Sequence, residues 1–211
     1  MELDPQVIGV TASYKLLIGC VVPRPIAWVS TIAADGVPNL APFSFFMGVC
    51  NDPPTIAFSS GRRENGSKDT VRNLEHTGDF VVNVVDDGHA EAMNATSGEY
   101  PPEVDEFALA GLEVAPGVLV RAPRLLTAPI SMECRVAQIV PVGRGPHNVV
   151  FGEIVYFHVR DDVYDAKTGR IDIHRLQPVG RLQPVGRLAG HQYAHIHDIF
   201  EMKRPDENYK G

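Results

Sequence analysis

The chain has little of what holds small extracellular proteins together. It carries three cysteines in 211 residues, Cys20, Cys50 and Cys134. An odd number at wide spacing argues against a disulfide framework and against a zinc knuckle. No apolar run approaches the ~20 residues that cross a bilayer. The N-terminus MELDPQVIGV lacks the basic-then-apolar pattern of a secretion signal. A cytoplasmic protein without membrane contact is therefore expected. Positive charge is also short: 19 Lys and Arg face 26 Asp and Glu, giving a formal charge of -7. That argues against nucleic acid as a partner, though a local phosphate site remains open. No long polar linker divides the chain, so residues 1–211 read as a single domain.

What is present is the balance of a globular protein, 44% hydrophobic and 21% charged. Short runs rich in Val, Ile and Phe lie between turns. Pro25–Ala33 reads as a strand, Asp35-Gly36 as a hairpin turn, and Val37–Phe46 as the returning strand. Further strands are expected at Thr55–Ser60, Phe80–Val85, Ser131–Val142 and Val149–Val159. Two helices interrupt them. Lys68–Gly78 has Val71 and Leu74 three apart and a Gly where a C-cap belongs; His89–Ser97 is shorter. Many short strands with few helices predict a mainly β, antiparallel barrel.

Polar groups gather within these apolar strands. Ser30, Thr31, Asn39, Ser44, Ser59 and Ser60 precede a helix that opens Lys68-Asp69-Thr70. Hydroxyls, free N–H groups at a helix start and the charge of Lys68 or Arg62 suit a phosphate. The same residues also suit a structural role: Ser67 or Asp69 capping the helix, the other hydroxyls satisfying strand ends.

The segments PRPIAWVSTIAADGVPNLAPFSFFMGVCNDPPTIAFSS and KDTVRN, then VDEFALAGL, MEC and FGEIVYFHVRD, are together similar to the flavin reductase-like family. The likeness runs from Tyr14 to about Ala194, leaving 195–211 as a C-terminal extension. It implies an FMN-binding split barrel, a six-stranded antiparallel Greek-key barrel with a few short helices, assembled as a homodimer with FMN near the subunit interface. It further implies that Trp28, Val29, Ser30 and Thr31 lie along the flavin, and that Asn39, Ala41, Ser44 and Phe45 face its ring. Ser59 and Ser60 supply strand-end hydroxyls, Lys68, Thr70 and Arg62 the phosphate end, and Arg187 a C-terminal cofactor contact.

His147 lies four residues before Phe151, where the reductase branch carries a Gly-Asp-His turn; here Pro146 replaces the Asp. It is the candidate catalytic residue, with an ordinary turn histidine as the alternative. His191, His195 and His197 lack a fourth ligand at suitable spacing and are read as surface or interface residues rather than a metal site. Cys50 and Cys134 are expected to be small buried hydrophobes. Trp28 fits either a core position or a cofactor stack.

The hexapeptide RLQPVG occurs twice, at Arg175–Gly180 and Arg181–Gly186. Each copy can turn as Gln-Pro-Val-Gly, and the first reads as a six-residue insertion into a loop. The resemblance implies reduction of flavin by NADH or NADPH, with delivery to a flavin-dependent monooxygenase or another acceptor. An FMN-binding electron carrier of the flavoredoxin kind, without nicotinamide turnover, is the alternative.

Overall fold

A computed structural model describes residues 1–61, 66–145, 147–181 and 193–195. Its centre is one antiparallel sheet of seven strands: β1 (Ala27–Ile32), β2 (Pro38–Phe43), β3 (Phe46–Asn51), β4 (Pro54–Ser60), β5 (Asp79–Val84), β6 (Ile130–Val142) and β7 (His147–Val159). Their order across the sheet is β2-β1-β5-β6-β7-β4-β3. The expected returning strand Val37–Phe46 is thus two strands. It breaks at Ser44 and Phe45, and its halves form opposite edges of the sheet. Two residues cannot span an open sheet of seven strands ~4.8 Å apart. The edges must therefore curl together, and directly after the break the chain joins the β3–β4 ladder, with Ser59 N–H donating to Phe45 C=O at 2.8 Å. The result is a split barrel, with one strand more than the expected six.

The barrel interior is filled by inward residues from alternate positions: Val29, Phe43, Phe58, Phe80, Val150 and Ile154 among others. Phe58 meets Phe43 at 4.9 Å and Phe80 at 5.6 Å, the second edge-on, the geometry aromatic quadrupoles favour. Each such buried ring contributes roughly 1.5–3 kcal/mol. Gly152 is fixed by this packing, since a Cβ there would stand 2.3 Å from Phe80 Cζ. Bulges at Glu133/Cys134 and Val136/Gln138 bend the long β6–β7 pair, which increases twist and helps the sheet close.

Helix α1 (Pro5–Cys20), absent from the sequence reading, starts at the Asp4 cap and is interrupted at Gly9. Helix α2 (Asp69–Thr77) ends at Gly78 in the left-handed conformation, as the sequence suggested. Neither Ser67 nor Asp69 caps it; Lys68 holds the cap position without a side-chain cap bond. A 3₁₀ turn at Asp87–His89 runs into α3 (Ala90–Ala95), and α4 (Glu106–Leu109) follows. These cover an outer core in which Trp28, Leu40, Met93, Phe107 and Val179 pack.

The first RLQPVG copy is not a loop insertion. Its Arg175 and Leu176 finish helix α5 (Ile173–Leu176), and Val179–Arg181 forms strand β8, paired with Tyr193–His195. Leu176 and Val179 are buried. Of the second copy only Arg181 is described. Cys134 is buried as expected, and burial pushes its thiol pKa far up. Cys50 is exposed on β3, because that edge strand has no further neighbour in the sheet.

Candidate functional site

The polar residues singled out in the sequence divide between two places. At one end of the barrel, Asn39 on β2 organises a closed cluster. Its Nδ2 donates to Glu106 Oε1 at 2.9 Å, and its Oδ1 accepts from Thr70 Oγ1 at 2.8 Å and Thr31 Oγ1 at 3.3 Å. Asn73 of α2 donates to Thr31 at 2.9 Å, and Leu40 N–H to Glu106 Oε2 at 3.0 Å. Asn39, Thr31, Thr70 and Glu106 are all buried. Burial raises the Glu106 pKa, against the lowering effect of these hydrogen bonds. The start of α2 is therefore bolted to β1 and β2, and the Thr70 hydroxyl proton is committed to Asn39. Beside the cluster lies a small cavity of about 70 Å³ bordered by Ala41, Lys68 and Glu106.

Ser30 and Trp28 are likewise used internally. Ser30 donates to Pro123 C=O at 2.5 Å and accepts from Asn83 at 3.2 Å. Trp28 donates its indole N–H to Thr96 at 2.8 Å within the outer core. Val29 points into the barrel interior. The side chains of these three pack the fold, so the expected segment along the flavin offers its strand rather than its side chains. Ser60 is buried, with its hydroxyl turned to the neighbouring Gly61 carbonyl at 3.3 Å.

The second place is open. Where β2 breaks into β3, Ser44, Phe45, Phe46 and Met47 face Phe58, Ser59 and Val149 across a largely apolar cleft of about 360 Å³. Ser59 and Val149 are paired in the β4–β7 ladder. His147, two residues earlier, shares the face of Val149 by strand alternation and stands at the rim. Its Nδ1 lies 3.4 Å from Ser59 Oγ. Its ring lies over Gly61, where an added Cβ would come within 3.3 Å. It is exposed and begins β7 rather than sitting in the turn before it. Lys68 borders the small cavity, and its Nζ lies 5.4 Å above the ring of Phe43, one residue before Ser44.

The structure thus joins Ser44, Phe45, Ser59 and His147 in one cleft, and Thr31, Asn39 and Thr70 in one cluster. Arg62, Arg187, His191 and His197 lie outside the described residues, and of His195 only the backbone, in its short strand, is described. The sequence reading missed Arg24, which lines the cleft between Pro23 and Pro25. It also missed Glu106, the acceptor that holds Asn39. A cation flanked by two prolines inside an apolar run was the available signal for Arg24.

The cleft fits a flat heteroaromatic ring: apolar faces from Phe45, Phe46 and Val149, with hydroxyls at Ser44 and Ser59. The start of α2, where a helix favours negative charge, lies at the Asn39 cluster and its small cavity. No helix among the described residues is long and apolar enough to cross a membrane. Residues 18–174 match the model of the flavin reductase like domain. Nitrilotriacetate monooxygenase component B from Bacillus cereus superposes with a TM-score of 0.89 at 35% identity, covering 96% of this chain and 98% of its own. The 2-nitrobenzoate 2-nitroreductase NbaA of Pseudomonas fluorescens gives 0.85 at 30% identity, covering 97% and 96%. The NADH-dependent FMN reductase RutF of Pantoea ananatis is 29% identical over 138 residues, 64% of this chain and 67% of that protein. A match over most of the chain, on a split barrel with an open apolar cleft at its seam, decides the classification: the chain belongs to the flavin reductase-like family.

Proposed function

We propose that the protein binds FMN in the seam cleft, reduces it with NADH or NADPH, and passes the reducing equivalents to a flavin-dependent oxygenase or another acceptor. The observation that carries this reading is the cleft itself, where Phe45, Phe46 and Val149 meet Ser44 and Ser59. Phe45 and Val149 pack the ring faces, and the serines and neighbouring backbone N–H groups hold its polar edge. Lys68 and the backbone N–H groups at the start of α2 hold the phosphate, since the hydroxyl proton of Thr70 is already used. His147, against Ser59 at the rim, orients the nicotinamide and closes that side to water. Bound flavin supplies the hydride acceptance and return. Arg62 and Arg187 remain expected cofactor contacts.

The donor reading is supported by the NADH-dependent FMN reductase among the relatives, and the oxygenase reading by the monooxygenase component. A homodimer belongs to the proposal. Val10, Leu17, Met47 and Val49 are 88%, 50%, 59% and 45% exposed, and a second copy covering α1 and the β3 edge would remove them from water. Sedimentation should give a dimer at micromolar concentration. The visible spectrum before and after anaerobic NADH tests the activity. A yellow sample that bleaches is the reductase; one that stays yellow is an electron carrier, and the nicotinamide step is wrong.

A further inference from the structure

Arg24 stands where the seam cleft meets a second apolar cavity, and Arg181 is paired with it through the backbone. That cavity, about 230 Å³, is lined by Ile26, Phe46, Val85 and Val179, and it shares Pro23, Arg24 and Pro25 with the cleft. Arg24 is only 4% exposed. Its Nη1 donates to the carbonyls of Ile18 at 2.5 Å and Val21 at 2.8 Å, at the end of α1. The other edge of the guanidinium is not used. Nε is buried without a hydrogen-bond partner, and Nη2 makes no hydrogen bond among the described residues.

Arg181 lies beside it. The backbones of the two residues exchange hydrogen bonds at 3.0 and 2.8 Å. The Arg181 guanidinium sits 6.0 Å from the Tyr193 ring centroid. Neither arginine forms an ion pair among the described residues. Burial and then the charge of Arg181 lower the Arg24 pKa, the direction expected where two cations lack an anion. A buried donor edge without a partner is costly. The Nε–Nη2 edge is also the side on which arginine grips a carboxylate or phosphate with two parallel hydrogen bonds.

We propose that Arg24 and Arg181 form an oxyanion site for the reaction partner of the flavin. The partner is a ligand whose carboxylate or phosphate takes the arginines while its flat apolar body fills the second cavity. This rests on reading the larger cleft as the flavin site. Because Phe46 and the Pro23–Pro25 segment border both cavities, such a ligand lies against the edge of the ring. Two sources share this chemistry: an aromatic acid that accepts electrons, and the phosphates of the nicotinamide donor.

Arg181→Gln is the principal test, because its backbone bonds to Arg24 survive the change. Arg24→Lys, which keeps charge and loses the fork, is the second. FMN-loaded protein is titrated calorimetrically with benzoate and with benzamide, and NADH oxidation is measured in parallel. An aromatic-acid site predicts that benzoate binds at least about tenfold tighter than benzamide. Both variants then weaken benzoate by about tenfold or more, with the KM for NADH unchanged. A nucleotide site instead predicts that both variants raise the KM for NADH about tenfold or more with kcat retained. Folded variants that alter neither ligand, or that change only sedimentation, overturn the site. Failure of the flavin reading is distinct: the protein stays colourless with FMN, while selective benzoate binding still reports the arginines.

Discussion

The Asn39 cluster on β2 and the seam cleft just beyond the end of that strand lie a few residues apart, yet their polar groups are in opposite states. Around Asn39 the described hydrogen-bonding groups are matched with one another: Thr31, Thr70, Asn73, Glu106 and the Leu40 N–H. In the cleft, Ser44 and Ser59 border apolar walls, and Arg24 keeps an unused edge. Hydroxyls alone do not mark a site. What marks it is polar capacity that the fold leaves unspent next to apolar surface.

The comparison can be broken most forcefully at Asn39. Asn39→Ala removes the partner of three side chains at once, leaving Glu106, Thr31 and Thr70 buried with unmet hydrogen bonds. Each buried group left so costs ~1–3 kcal/mol, so we expect a stability loss of about 3 kcal/mol or more by denaturant unfolding. A loss under about 1 kcal/mol would show that the cluster is not what fastens α2 to the barrel.

A change in the cleft should do the reverse. Phe45 is half-buried at the seam and lies outside the hydrophobic cores, so Phe45→Ala should cost far less stability than Asn39→Ala. FMN affinity, measured by fluorescence quenching, should fall about tenfold, since an aromatic contact is worth ~0.5–1.5 kcal/mol beyond its buried area. Unchanged affinity in the folded variant would move the ring out of the cleft.

A smaller effect separates two buried carboxylates by pH. Burial raises the Glu106 pKa. Burial also works to raise Glu133, but His158 at 2.6 Å and the N–H groups of Val118 and Leu119 outweigh it, and its pKa is lowered. A raised folded value means that the Glu106 contribution is full below the ordinary ~4.3 and is lost as pH rises through the folded value. The Glu133 contribution is present above the ordinary value and lost as pH falls through the lowered one. The stability difference between wild type and Glu106→Gln should therefore decline from pH 4 upward, and that for Glu133→Gln should decline toward low pH. Parallel slopes would contradict the assignment.

Much of the fold was legible because alternation and turn residues agree in β1, β4–β7 and α2. The break at Ser44-Phe45 was not, because PFSFF stays apolar through the point where the chain changes sheet edge. Helix α1 was missed because its apolar residues do not form a stripe; Val7, Val10 and Leu17 remain exposed. Of the residues singled out in the sequence, Ser44, Phe45 and Ser59 come together in the cleft. The hydrogen bond from Thr70 to Asn39, thirty-one residues earlier, was not legible, because nothing in the sequence announces that the two side chains meet. Arg24 went unread because two prolines make their surroundings look like a turn.

The smallest expected effect concerns the repeat. Deleting Arg175–Gly180 or Arg181–Gly186 leaves the same chain, with one RLQPVG followed by RLAGHQYAH. Leu and Val of the surviving copy keep the core positions now held by Leu176 and Val179, and Arg187 takes the place of Arg181 opposite Tyr193. The connection between those paired residues shortens from eleven residues, 182–192, to five. Five residues still close an antiparallel pair, and halving the length of a connection changes its closure entropy by only ~0.6 kcal/mol. Six is even, so the faces of the paired strand are preserved. Tm and FMN affinity should stay close to wild type, and the arginine beside Arg24 should still respond to benzoate or NADH once Arg187 is the residue replaced by Gln. A deletion that unfolds the protein or abolishes flavin binding would show that the second copy is itself part of the site, and would reverse the assignment of the first as the packed one.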